Sequence, residues 1–456
     1  MRQRSIFPSL ASLLVLAASL LLSCGEDRSG EYYALVGPKT WIYETLQVNY
    51  LFYEDLPEVT DKKSFFKKPA DFLQMVLSKR DQKNGTYFSH VDSVFTSNAR
   101  AAGTYPSFGF EGAIVRTFSG DYAIHVLYTQ PDSPAEQAGL KRGDWIIAAD
   151  QRKIASDAYE KYVSRPAGSH AFTLGRYTGG ETFDTLRTVQ MPSPVPVAEK
   201  NLLACQVVEA GQRKAGYIVY NAFGATDKEA WVNALQQLAA QGVNDLIVDF
   251  RYNPGGYVSA AQEVGSLLAP AACQGQTFLK LTFNDQLPGP EVLTFGAPAV
   301  QLDYDNLYFL TSGNTASAAE IVINCLRPYM SGRIYQVGEA TFGKNVAQSL
   351  FTNEAYPQLE LWITTSYLSN AEDFMDYYEK GLEPDYAAQE NPGGDIVDFG
   401  DASDPLLAPV LTRMATGSFP TSETDQPDAT NRHARSGQPF QVVWHPLEHR
   451  PKYAKR

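Results

Sequence analysis

The chain has 456 residues and a mass of 50.3 kDa, too long for one ordinary globular domain; at ~150 residues per domain it holds about three units. With 44% hydrophobic and 20% charged residues it has material for sizeable cores, which excludes disorder throughout. The 38 Lys and Arg against 51 Asp and Glu give a formal charge of -13 and a pI near 5.0, against the basic footprint of a nucleic-acid binder.

The first residues have the layout of an export signal: basic Arg2 and Arg4, an apolar run from Leu10 to Leu22 too short to span a bilayer, and a junction at Leu21-Leu22-Ser23-Cys24. Ending in Cys, that junction resembles a bacterial lipoprotein signal. The resemblance implies loss of residues 1–23, lipid modification of Cys24, and an exported protein anchored in a cell-envelope membrane, facing the periplasm or the cell surface. The alternative is a plain signal peptide with an incidental Cys. The remaining Cys205, Cys273 and Cys325 sit in apolar surroundings that suit buried thiols, and their odd number leaves at least one unpaired. No metal site or disulfide framework is inferred from them.

Residues 31 to about 100 carry Trp41, Tyr43, Leu46, Tyr50 and Phe52 on loosely helical spacing, then Phe65, Phe66, Phe72 and Leu73, and predict a small helical domain. From about Tyr105 short β-like runs broken by glycine follow, at Tyr122–Tyr128 and Trp145–Ala149, with a hairpin signal at Thr178-Gly179-Gly180. Among them Ser133 to Leu140 reads as a short capped helix, and Met191–Val197 as a linker. From about Ala215 the pattern alternates. Strand Tyr217–Tyr220 leads to a helix opened by a capping box at Thr226-x-x-Glu229, with Trp231, Leu235 and Leu238 on one face; strand Leu246–Phe250 leads to a helix over Val258–Leu268; strand Leu307–Leu310 leads to a helix from Ser317 to about Tyr329. Strand, glycine-rich turn and helix repeated in this way imply a parallel α/β layer with its loops at the strand C-termini. After Gly417 the chain reads as a polar, Pro-rich tail.

Ser317 opens a helix after a strand, where backbone N–H groups can stabilise an anion, but Ser317-x-x-Glu320 also fits a simple capping box. His90, His125, His170, His433, His445 and His449 all fall outside the α/β layer, so a Ser-His-Asp triad within that layer is excluded, although a His from another segment could still reach in. Lys344, in a glycine-flanked turn, can serve as a base if burial lowers its pKa, or be a solvated turn lysine. His445-Pro446-Leu447-Glu448-His449 fits an inverted zinc-protease pattern, yet Pro446 and Pro451 oppose the helix that such a site needs.

The runs Leu246-Ile247-Val248-Asp249-Phe250-Arg251-Tyr252-Asn253-Pro254-Gly255-Gly256, Thr315-Ala316-Ser317-Ala318-Ala319-Glu320 and Thr341-Phe342-Gly343-Lys344-Asn345-Val346-Ala347-Gln348 resemble the core motifs of the C-terminal processing peptidases, or tail-specific proteases. Lys380 to Asp385 resembles that family's closing motif, and Ser133 to Asp150 its PDZ domain. The resemblance implies a multidomain α/β protein: a lipoprotein signal peptide over 1–23, a helical N-terminal domain over 24–104, a PDZ-like β domain over 105–192, a crotonase-like α/β serine protease core over 193–415 and a polar tail over 416–456. It makes Ser317 the nucleophile, Lys344 its general base and Gln348 the group that orients the lysine. Backbone N–H groups of Gly256 and Ala318 would form the oxyanion hole, and no cofactor or metal is implied. Phe108, Gly109, Phe110 and Gly112 would form a PDZ-type loop reading the free C-terminus of a polypeptide, provided that Glu111 points away. Ala319 replaces a serine common in the motif, and the Ser317-to-Lys344 connection is slightly longer than usual, with the extra residues expected around Arg327 to Arg333. The other reading is a PDZ-bearing, peptide-binding lipoprotein that has lost catalysis.

Overall fold

The computed structural model describes residues 29–94, 106–117, 119–179, 182–394, 396–421, 440–444 and 454–455. Cys24 and the motif at 445–449 lie outside the described residues. Among the described residues two α-helices come first, α1 (Ser29–Asn49) and α2 (Pro69–Val76). Pro69 starts α2 where a missing N–H costs nothing. Ile42 and Leu46, four apart on α1, bury one face together with Phe72, Leu73 and Val76 of α2, in a cluster that also takes in Leu361 and Ile363. The helical region predicted from the aromatic spacing is therefore present, but it ends in a strand, β1 (His90–Ser93), paired antiparallel with residues 359–362.

An antiparallel sheet follows, built from β2 (Phe110–Thr117), β3 (Tyr122–Thr129), β4 (Trp145–Ala149), β5 (His170–Gly179) and β6 (Thr182–Met191), in spatial order β6-β5-β4-β3-β2. Phe108, Ile114, Ile124, Ile146, Phe172 and Leu174 fill its buried face. Ser133 caps the short helix Pro134–Gln137 by accepting the Glu136 N–H at 3.2 Å, as the sequence implied.

The rest of the chain runs through β7 (Leu202–Ala210), β8 (Arg213–Tyr220), α3 (Lys228–Ala240), β9 (Asp245–Asp249), α4 (Val258–Leu268), β10 (Thr277–Phe283), β11 (Glu291–Thr294), β12 (Asn306–Thr311), α5 (Ala318–Leu326), β13 (Ile334–Gly338), β14 (Val346–Phe351), β15 (Leu359–Ser369), β16 (Tyr386–Ala387), α6 (Leu407–Thr416) and β17 (Phe440–Trp444). One sheet has the order β7-β8-β9-β12-β13-β16 and is parallel from β8 onward. A second joins β14, β15, β10 and β11 antiparallel, with β1 added to β15. One expectation is corrected. Helix α3 has Asp227 rather than Thr226 at its N-cap, because the Asp227 carboxylate is drawn to the Gly224 N–H and the Tyr220 hydroxyl, both at 2.8 Å. Within the tail, β17 pairs antiparallel with β2 at that sheet's edge.

A buried ionic cluster locks the β-rich sheet to the α/β core. Arg251, 1% exposed, bonds Asp249, Glu390 and Asp404, with its Nη1 at 2.6 Å from Glu390 and 2.7 Å from Asp404. Arg142, from the turn before β4, reaches the same Glu390 carboxylate and donates to the Leu127 and Val397 carbonyls at 2.7 Å. Burial alone pushes the Glu390 carboxyl up, but the two guanidiniums outweigh it and hold it well below the usual range. Its stabilising contribution is thus complete above the ordinary glutamate pKa and lost only as the pH falls far below it. Removing one partner of such a cluster leaves a buried charge under-compensated, so Arg142→Met should cost about 3–5 kcal/mol. Thermal unfolding at neutral pH reads this as a clear fall in Tm, and an unchanged Tm contradicts it.

Candidate active site

The parallel strands deliver three loops to one place. β9 ends in the loop to Gly256 ahead of α4, β12 ends in the loop to Ser317 ahead of α5, and the segment after β13 carries Thr341 to Lys344 into β14. The loops are laced together: Ala316 N–H donates to the Asn253 carbonyl at 3.0 Å, Phe342 N–H to the Thr315 carbonyl at 2.8 Å, and Thr315 Oγ1 to the Phe250 carbonyl at 2.8 Å.

Ser317 has φ +62°, in a region that residues with a side chain rarely adopt. It is fully buried, and its hydroxyl has no hydrogen-bond partner. Ser317 stands at the N-cap of α5 in a capping-box arrangement with Glu320, but its side chain makes no cap hydrogen bond. Glu320 does reach back, its Oε2 accepting the Ser317 N–H at 2.6 Å, and the same carboxylate accepts from the Lys344 N–H at 2.9 Å, the Gly343 N–H at 2.6 Å and the Thr341 hydroxyl at 2.5 Å. One buried side chain so fixes the serine loop and the lysine loop to each other.

Lys344 is fully buried and donates from Nζ to Gln348 Oε1 at 2.9 Å, with the Phe88 ring centroid 5.0 Å from Nζ. Burial lowers its pKa to about 7, against the opposing charges of Asp81 and Glu320. The connection between Ser317 and Lys344 runs, before β13, through a 3-10 turn at Arg327–Tyr329 followed by a turn closed by the Arg333 N–H on the Met330 carbonyl at 2.9 Å.

Gly255 and Gly256 have φ +106° and +151°. A Cβ on Gly255 would lie 2.6 Å from Ser317 Cβ, and one on Gly256 would lie 2.2 Å from the Phe223 carbonyl oxygen, so neither position admits a side chain. The Gly255 N–H is held by Asn253 Oδ1 at 2.9 Å. Ala318 opens α5, where the N–H has no intrahelical acceptor. The structure thus brings Ser317, Ala318, Lys344, Gln348 and the Gly255-Gly256 turn into one buried site with an unpartnered hydroxyl, an amine that loses its proton near neutrality, and backbone donors at a helix start.

The β2 loop differs from expectation. Phe108 and Phe110 are buried in the sheet's own core. The Gly109 N–H donates to Ser107 Oγ at 2.9 Å, and the Gly112 N–H to Glu111 Oε1 at 3.2 Å. Glu111 is 4% exposed and turned into the loop rather than away from it. The Gly109 and Gly112 donors are thus satisfied locally, where the expectation had them free for a terminal carboxylate.

Three contributors were not identified from sequence: Asp81, Thr364 and the fourfold clasp of Glu320. The first two sit in segments without motif character, and Glu320 reads as an ordinary helix cap. Because the fold below pH 7 must bury a protonated Lys344, whereas the unfolded lysine stays protonated up to about 10.5, this group adds stability as the pH rises through that window. Lys344→Met should accordingly raise Tm more at pH 6 than at pH 9; an equal effect at both contradicts the depressed amine.

Residues 214–388 match Peptidase family S41, and residues 38–90 match the Peptidase S41 N-terminal domain. The chain is 32% identical over 232 residues to the carboxyl-terminal-processing protease of Picosynechococcus sp., covering 50% of this chain and 52% of that protein. It is 28% identical over 290 residues to the chloroplastic carboxyl-terminal-processing peptidase 3 of Arabidopsis thaliana, covering 60% of this chain and 53% of that one. The chain thus spans about half the length of these relatives. A solved structure from Bacteroides fragilis assigned to the S41 proteases superposes with a TM-score of 0.71 at 29% identity, over 82% of this chain and 96% of that one. With both family domains in place around the Ser317 and Lys344 loops, the chain belongs to peptidase family S41.

Proposed function

We propose that the protein is a serine endopeptidase that uses Ser317 and Lys344 as a catalytic pair to cleave polypeptides near their C-termini. The observation that carries this reading is a buried, unpartnered Ser317 hydroxyl at a helix start, bound through Glu320 to the loop of a buried lysine with a pKa near 7. Neutral Lys344 takes the Ser317 proton as the hydroxyl attacks the scissile carbonyl, and later returns it to the leaving amine. The N–H groups of Ala318 and Gly256 face the developing oxyanion, in a place too tight for any side chain. Gln348 fixes the lysine by accepting a hydrogen bond from its Nζ. The names of the relatives, which refer to carboxyl-terminal processing, support the substrate class.

Substrate entry as an extended strand fits both ends of the molecule. The edge of β2 accepts β17 antiparallel, and residues 454–455 lie as a strand between Gly256–Tyr257 and Gln348. In this reading the β2–β6 sheet is a PDZ-like module that docks a substrate by strand addition rather than through free N–H groups of Gly109 and Gly112, and the α/β part is a crotonase-like protease core. Ser317→Ala and Lys344→Met should each abolish cleavage of an unfolded protein. Wild-type kcat/KM should rise with pH through about 7 as Lys344 loses its proton, and chelators should leave it unchanged. Substantial cleavage by either folded variant overturns the pair.

We further infer a lipid anchor at Cys24, from the Leu21 to Cys24 junction. Cys24→Ala should move the protein from the membrane pellet to the soluble fraction. Retention in the pellet after a salt wash contradicts the anchor.

A further inference from the structure

Asp81 is a fully buried carboxylate contributed by the N-terminal segment, far in sequence from every motif residue. The segment around it is pinned to the protease core: Lys83 Nζ donates to the Phe342 and Glu379 carbonyls, Arg80 Nη2 to the Tyr367 hydroxyl at 2.8 Å, and the Leu51 N–H to the Thr364 carbonyl at 2.9 Å. Asp81 Oδ1 accepts the Thr364 hydroxyl at 2.5 Å, while Oδ2 has no hydrogen-bond partner. The Ser89 and Tyr50 hydroxyls also lie near this carboxylate, yet a buried carboxylate with one oxygen that accepts no bond is costly, and calls for a reason.

The reason lies two strands away. The antiparallel register of β14 and β15 sets Gln348 directly opposite Thr364. Gln348 Nε2 donates to Thr364 Oγ1 at 3.4 Å, and Gln348 Oε1 accepts from Lys344 Nζ at 2.9 Å. Every bond in the row therefore points the same way, from lysine to glutamine to threonine to carboxylate. An ionised carboxylate only accepts, so Thr364 must spend its proton on Asp81 and offer its oxygen to the glutamine amide. That leaves the carbonyl oxygen of Gln348, and not its NH2, facing the lysine. Reversed, the amide would aim two donors at Nζ and compete for the lone pair that the serine needs.

We propose that Asp81 is a positioning residue for Lys344: it terminates a one-way row of hydrogen bonds through Thr364 and Gln348 that holds the lysine by its N–H and leaves its lone pair for Ser317. The N-terminal segment then completes the active site instead of merely preceding it. The inference rests on the Ser317–Lys344 reading and adds a group that touches neither substrate nor reacting atoms. Asp81 also supplies a negative charge near the lysine. The other titratable groups that interact with this row are Glu320 at the lysine, and Tyr50 and Tyr378 at the carboxylate. Burial raises the Asp81 pKa to about 6, against the neighbouring hydroxyls of Ser89, Thr364 and Tyr50 and the charge of Lys344, so the carboxylate is ionised where the lysine is neutral.

The test uses the full chain and dye-labelled, unfolded β-casein as substrate. Thr364→Val breaks the row without changing charge and should lower kcat at least tenfold at unchanged KM, with the acid limb of the kcat/KM profile in place; Thr364→Ser keeps the hydroxyl and should restore kcat to within about threefold of wild type. Asp81→Asn should lower kcat similarly and move the acid limb down by roughly one pH unit, since the ammonium loses a counter-charge. A merely structural role would lower activity, if at all, without separating these two signatures. Titration of 13C-methylated lysines by NMR reads the same Lys344 shift without any turnover, so failure of the peptidase reading is distinguishable from failure of this one. Wild-type kcat in Thr364→Val, or a Lys344 titration unmoved in folded Asp81→Asn, overturns the proposal.

Discussion

The site depends on one carboxylate. Glu320 takes four donors, three of them backbone N–H groups from two different loops, and no bond among them involves the side chain of Ser317 or Lys344. Burial raises its pKa, and the four donors oppose that rise by stabilising the ionised form. The geometry that results is expensive in isolation: a serine at φ +62° and a fully buried lysine. Neither would persist unless the surrounding bonds over-determined them. The clasp links the strained serine backbone to the lysine turn, so a shift in one loop is felt in the other.

The scaffold around the clasp follows the same logic at larger scale. Parallel strands β8, β9, β12 and β13 bring their C-terminal loops together, and helices α4 and α5 begin where those loops end. The second sheet brings Lys344 and Gln348 in from the other side. The ionic cluster of Arg142, Arg251, Asp249, Glu390 and Asp404 ties the β-rich sheet to the loop that follows β9, which is the loop that turns through Gly255 and Gly256. Buried salt bridges are weak evidence for net stability, but a five-membered cluster that joins two units has few alternative arrangements, and fixes their relation.

Much of this was legible in the sequence, for identifiable reasons. Helix α4 begins and ends where the apolar run and the glycine turn place it, and β4 spans the run Trp145–Ala149, because local pattern and tertiary environment agree there. Ser317, Lys344 and Gln348 sit in motifs whose residue types are unusual enough to stand out. What was hidden depends on long-range contact. Asp81 lies in Lys79-Arg80-Asp81-Gln82, which reads as a solvated charged turn until the fold buries it. Strand β1 is short and half polar, and only its partner 359–362 makes it a strand. Glu320 fits a capping box so well that its reach to Thr341, Gly343 and Lys344 gives no local signal. The glycines of the β2 loop suggested free donors, whereas their neighbours Ser107 and Glu111 satisfy them.

In the proposed pairing, Ser317 is a nucleophile made reactive by a neutral Lys344. The most direct measurement is the rate at which a peptidyl fluorophosphonate modifies the full-length protein, followed by intact mass across pH 5 to about 9, with the modified residue located by peptide mapping. The account predicts a single adduct on Ser317, a rate that rises through about pH 7, and no adduct in Lys344→Met. Labelling of Ser317 that is independent of pH, or that persists at the wild-type rate without Lys344, would contradict it.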